Sequence, residues 1–320
     1  MARDGLDQIR RTLAHLSRQT IADVTELIVI ASEGLAIDQD DEAFARFQSV
    51  RVLYADSSTL GALQSEGVRQ ASAPWVILGE DHAWPEPAYA EAIADRFESG
   101  SWVAVGPAMT NANPESIASW SNLLLAYGPW TEPRTGGQVP ALPGTNTGYR
   151  RETLLALGDR LDDLLAREGG LIGELVRDGG TLYLEPRART AHQNFSKLSS
   201  TISLRVNAGR LYAARRATRE KWGFGKRALY AACSPLIPPL RFARILAELR
   251  GHSMRLTSKP VVGVGLGVVF DGMGQLLGYV AGDGNAAATL ADFEFTRERF
   301  LTERDRAQAR QVSASGPGSP

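Results

Sequence analysis

Residues 73–87, APWVILGEDHAWPEP, constrain the fold of this chain more than any other stretch. Trp75, Val76, Ile77 and Leu78 form a β-prone run with no polar alternation, the pattern of a strand buried on both faces. Gly79 interrupts the run, and Glu80, Asp81 and His82 follow it, three side chains able to bind a metal or move a proton. Pro85 and Pro87 offer no backbone N–H, so the strand is expected to stop before them. In an open α/β sheet, ligands bind at the carboxyl ends of the strands. Two carboxylates and an imidazole at such an end suit a divalent cation with oxygen and nitrogen donors. The plainer reading of the same residues is an acidic strand-to-loop junction that keeps the surface soluble.

The flanking chain supplies the rest of an α/β unit. Leu6, Ile9, Leu13 and Leu16 recur at helical spacing, and residues 26–31 and 50–54 read as short strands. Residues 60–71 read as a helix leading into the organising strand, which completes a β-β-α-β series. A helix over 88–97, a strand over 102–105 and a strand over 181–184 follow. The 43% hydrophobic content is enough for a real core. The net charge of −1 argues against a chain that binds nucleic acid. One cysteine, Cys233, leaves no internal disulfide framework and fits a reducing compartment. Arg10, Arg11 and His15 interrupt the first apolar residues, which does not suit a secretory leader.

A second informative run is Leu142-Pro-Gly-Thr-Asn-Thr-Gly-Tyr-Arg-Arg151. Gly144 and Gly148 allow close backbone approach, Asn146 both donates and accepts, and Arg150 and Arg151 are suited to phosphate. With Glu80-Asp81-His82 it carries a resemblance to glycosyltransferase family 2, whose members have the nucleotide-sugar-binding fold called GT-A. In that family an Asp-x-Asp or Asp-x-His tripeptide follows a buried central strand, and a Gly-x-Asn-x-x-x-Arg-Arg segment lies beside the sugar. Here Glu stands first in the tripeptide.

The resemblance covers roughly residues 6–200 and implies an inverting transfer of sugar from a nucleoside diphosphate sugar to a carbohydrate or lipid-linked acceptor. It implies a divalent cation, Mn2+ or Mg2+, at His82, Asp81 and His192. Glu33, Glu80, Asp81, Asn146 and Arg150 become the expected substrate-binding residues. The family's catalytic base opens a helix about twelve residues ahead of a glycine. Counting back from Gly180 gives Glu168, where the helix dipole favours the ionised form. Glu174 is the rival, about 240° away around a helix. Family members also place an apolar strand ahead of the first helix, between the strands matching Leu27–Ile30 and Trp75–Leu78. It has no counterpart here, so a gap between those two strands is expected. The expected fold is therefore α/β, a GT-A-like mixed, mainly parallel sheet lacking the usual first strand. A scaffold that has lost catalysis, and a nucleotidyl or phosphoryl enzyme, are the rival functions.

Composition changes beyond Phe195. Between Arg205 and Lys259, 13 basic residues face two acids, a net charge of +11. Residues 261–282 are apolar and glycine-rich, with Gly274, Gly278 and Gly282 at four-residue spacing, which lets helices approach closely. The uninterrupted apolar run there is shorter than the roughly 20 residues that span a bilayer. These features predict a C-terminal helical, membrane-associated region with an interfacial or re-entrant helix pair beside an anionic membrane surface. The expected division is 1–200 catalytic, 201–302 basic and helical, and 303–320 a disordered tail, on a protein peripheral to the cytoplasmic membrane face.

Overall fold

The computed structural model describes residues 6–54, 60–167, 169–251 and 257–307. In chain order the elements are α1 (Leu6–Leu16), β1 (Glu26–Ala31), β2 (Ser49–Tyr54), α2 (Leu60–Gln70), β3 (Trp75–Ile77), β4 (Ala83–Pro85) and α3 (Tyr89–Glu98). Next come β5 (Ala104–Asn111), α4 (Ile117–Tyr127), β6 (Gly137–Val139), β7 (Gly148–Arg150), α5 (Arg151–Leu155), α6 (Arg160–Leu165), α7 (Gly170–Arg177) and β8 (Leu182–His192). The C-terminal part holds α8 (Leu198–Arg219), α9 (Phe224–Cys233), α10 (Ile237–Gly251), α11 (Ser258–Ala281) and α12 (Ala286–Phe295). Two compact units result. Of the described residues, one takes the chain up to Thr110 together with Glu132–His192, and the other takes Asn111–Thr131 with residues 193–307.

The first unit is mixed α/β. Ile9 and Leu13 of α1 are buried with Val29 and Ala31 of β1, so the helical spacing read from the sequence does face a strand. β1 pairs in parallel with β2, from Glu26 opposite Ser49 to Ala31 opposite Tyr54. A larger sheet has the order β3-β7-β5-β8-β4, with β6 on β8. Within it β3–β7, β5–β7, β4–β8 and β6–β8 run antiparallel. Tyr89, Ile93 and Phe97 of α3 close over Val105 and Ala188 to form its core.

β3 ends at Ile77, ahead of Pro85 as expected, and Pro85 lies in a separate short strand, β4. This strand is the last of the order, opposite Thr190 of β8 at Pro85, and an edge strand tolerates a residue with no N–H. The expected gap is present: β1 bonds β2, β3 bonds β7, and among the described residues no strand pairs with the second edge of either. A cleft of about 300 Å³ lies there, with Thr25–Ile30 on one wall, Val76–Asp81 on another, and Leu63 and Val68 of α2 between them.

The second unit is helical. α11 is one continuous helix of 24 residues, where a pair was expected. Its glycines serve packing: a Cβ on Gly274 or Gly278 would run into the carbonyl oxygens of Val206 or Arg210 on α8, and one on Gly267 into Leu125 on α4. Gly282 ends the helix at φ +74°. The start of the expected tail is ordered, because residues 303–307 form a further helical turn. Asp305 is buried there and accepts a hydrogen bond from Asn113 Nδ2 at 3.1 Å. Residues 308–320 lie outside the described residues.

Candidate metal centre

Backbone pairing builds the site. The ladder between β3 and β7 continues past their ends, with Asn146 N–H donating to Leu78 O at 2.6 Å and Leu78 N–H to Thr147 O at 3.2 Å. This sets residues 145–147 beside Glu80. Asn146 takes φ +56°, a left-handed conformation that asparagine accepts more readily than most residues. Its neighbours fix the turn: Thr147 Oγ1 donates to Pro143 O at 2.8 Å, Tyr149 Oη to Gly144 O at 2.8 Å, and Tyr89 Oη to Asn146 O at 2.7 Å. Burial pushes the Tyr89 and Tyr149 phenols above their ordinary range, so both remain donors.

Asn146 Nδ2 donates to Glu80 Oε2 at 2.6 Å and Thr145 Oγ1 to Glu80 Oε1 at 2.8 Å, so both carboxylate oxygens are fixed from one side. On the other side, the β4–β8 register puts Ala83 opposite His192, which brings the preceding residue, His82, against the end of β8. The two imidazoles meet edge to face with centroids 4.7 Å apart. His192 Nε2 lies 3.6 Å and His82 Nε2 3.8 Å from Glu80 Oε2. Both histidines are buried, at 6% and 8% exposure. Glu80, His82 and His192 form one group of ligand atoms able to hold a metal ion.

The donors fit a cation. Atoms sharing an ion at about 2.1 Å lie about 3.0–3.4 Å apart; the two histidine nitrogens stand 3.6 and 3.8 Å from Glu80 Oε2, and all three ligand atoms lie within 4.8 Å of one another. Asp81 has a different part. Its Oδ1 accepts from His82 Nδ1–H at 2.7 Å, which leaves Nε2 with the free lone pair and fixes the ring's orientation. Thr12 Oγ1 of α1 in turn donates to Asp81 O at 2.6 Å.

From the sequence a metal is expected at His82, Asp81 and His192; the structure brings the ring nitrogens of His82 and His192 together with Glu80, while Asp81 faces His82 Nδ1. Asn146 holds Glu80 rather than reaching outward for a sugar. Arg150 is corrected outright. Its Nε donates to Trp102 O at 2.8 Å and its Nη2 to Phe97 O at 3.0 Å and Gly100 O at 2.7 Å, so it ties down the turn between α3 and β5. Glu33 is exposed in the turn after β1 and does not line the cleft. Glu168 lies outside the described residues; Gly169 after it caps α7 at φ +65°. The rival Glu174 is buried between Arg160 and Arg177, and the hydrogen bond from Arg160 holds its carboxyl below the ordinary range, as a fixed ion-pair member. Sequence reasoning missed Thr145, whose signal was its place beside Asn146, and Thr12, whose partner is 69 residues away.

No family model matches this chain, and no curated protein matches it. Among solved structures it is similar to GalNAc-T7 with UDP, GalNAc and Mn2+, at 15% identity over 58% of this chain with a TM-score of 0.42. It spans only 40% of that protein's chain. It is also similar to the mannosyltransferase PcManGT from Pyrobaculum calidifontis in complex with GDP-Man and Mn2+, at 16% identity over 98% of this chain and 82% of that one, TM-score 0.49. Residues 1–349 of S. aureus TarS in complex with UDP are similar at 13% identity over 84% and 89% of the two chains, TM-score 0.45.

Proposed function

We propose that this protein is a divalent-cation-dependent glycosyltransferase that moves a sugar, with inversion, from a nucleoside diphosphate sugar to a hydroxyl of a carbohydrate or lipid-linked acceptor. The observation that carries the reading is the convergence of Glu80 Oε2, His82 Nε2 and His192 Nε2, with Glu80 and Asp81 in the wall of the cleft beside β3. A cation bound there supplies charge neutralisation for a departing diphosphate.

The chain's own residues have definable parts. Thr145 and Asn146 orient the Glu80 carboxylate, and Asp81 orients His82. Two imidazoles with a single carboxylate favour Mn2+ over Mg2+, which prefers an all-oxygen shell. Glu168 is assigned as the base that takes the acceptor hydroxyl proton, following the family resemblance.

Calorimetric titration and nucleotide-sugar turnover test this together. Mn2+ is expected to bind more tightly than Mg2+, and Asp81→Asn to weaken Mn2+ binding by about 10- to 100-fold. Glu168→Gln is expected to lower sugar transfer by about 10² to 10⁴ with Mn2+ binding unchanged. Because His82 and His192 are buried, their alanine variants are checked by circular dichroism first. Mn2+ affinity that survives both substitutions in a folded protein rejects the site.

A further inference from the structure

α11 is mostly apolar, with Asp271 and Gln275 on its buried side, and only part of it faces protein. Gly263, Gly267, Gly274 and Gly278 are buried against α4 and α8. The opposite face carries Val262, Val269, Met273, Leu276, Leu277 and Val280, all exposed, with Val280 at 67%. Their spacing places them on one helical stripe. No charged residue interrupts it. Nearby in the same unit, Phe224 is 88% exposed and Leu229, Leu236 and Leu240 of the α9–α10 segment are exposed as well. Single exposed apolar residues are ordinary, but six of them along one stripe of a single helix are not.

The border of this surface is cationic. Phe224 lies in sequence between Lys221 and Arg227, and those two with Arg215 and Arg219 line a recess of about 450 Å³. Arg216 and Lys226 stand 4.9 Å and 4.4 Å from the centroid of Trp222, so this edge is held in place. Of the basic residues between Arg205 and Lys259, Lys226 and Arg227 lie on α9 and Arg241, Arg244 and Arg250 on α10.

We propose that this face seats on an anionic lipid bilayer, the α11 stripe and Phe224 entering the boundary between headgroups and acyl chains while Arg215, Arg219, Lys221 and Arg227 take lipid phosphates. Charge selects the occupant. Two copies of the chain meeting through this face would set like charges together, whereas an anionic bilayer neutralises them. α11 lies on the bilayer rather than across it. Its buried face holds Asp271, paired with Arg241 and accepting from Gln275 Nε2 at 2.7 Å, and crossing would strip that group of its partners.

The sole cysteine, Cys233, is exposed at the end of α9 and provides the probe. The full chain, labelled there with a polarity-sensitive fluorophore, is mixed with vesicles of phosphatidylcholine alone or with phosphatidylglycerol. Co-sedimentation and a blue shift are expected with the anionic vesicles only, both weakened by added salt. Arg219→Gln with Lys221→Gln is expected to lower partitioning roughly 30-fold, each basic residue near the surface contributing a factor of about five. Met273→Asp with Val280→Asp is expected to reduce it to background, and Arg219→Lys with Lys221→Arg to preserve it. Circular dichroism confirms the fold of each variant, since all the substituted positions are on the surface. Equal partitioning onto pure phosphatidylcholine overturns the proposal. So does the absence of binding to any vesicle, or self-association with concentration in place of vesicle binding.

Discussion

Arg150 shows how a residue type can mislead. An arginine pair beside a glycine-rich run reads as phosphate-binding, yet this guanidinium donates to Trp102 O, Phe97 O and Gly100 O. Arg150→Met would leave three carbonyls without that donor. A loss of about 3 kcal/mol is expected by urea unfolding, at about 1 kcal/mol per bond, with Mn2+ affinity unchanged. His15 gives a pH dependence. Burial beside Trp84, where the rings stack at 6.2 Å, and the charges of Arg11 and Arg18 pull its imidazole below 6.5. The unfolded chain therefore binds the His15 proton more readily than the folded one, so stability falls as pH drops below about 6.5. His15→Gln is expected to flatten the melting temperature between neutral and mildly acid pH relative to the native chain. The residues legible in sequence were those whose chemistry is local. His82 drew attention by its type and its place after a buried strand, whereas His192 was singled out only through the family resemblance. The parts of Glu80 and Asp81 depended on the β4–β8 register and on Asn146, contacts separated by many residues.

At the scale of elements, periodicity placed α1, β1, α2 and α3 within a residue or two, because each buries one regular face. It failed where tertiary contact decides. β4 survives its proline only because it is an edge. α11 remains one helix through its many glycines because those glycines let α8 and α4 approach, offsetting a propensity cost of about 1 kcal/mol each. Gly274→Ala tests that account. Helix propensity alone predicts a gain, whereas the contact with Val206 predicts a loss of about 3 kcal/mol from overpacking, measured by thermal unfolding.

At the scale of the whole molecule, the gap expected from the family resemblance takes the form of the cleft between β1 and β3. Strands alternate the direction of their N–H groups, so β1 directs one set to β2 and the other toward the cleft. The consequence belongs to isotope exchange rather than to affinity. Along Leu27–Ile30, slow and fast amides should alternate in deuterium uptake resolved by NMR, though Val29 is a core residue. Uniformly slow exchange along β1 would mean that its second edge is already covered. Where the alternation is seen, the fast amides count the hydrogen bonds that β1 still has to offer.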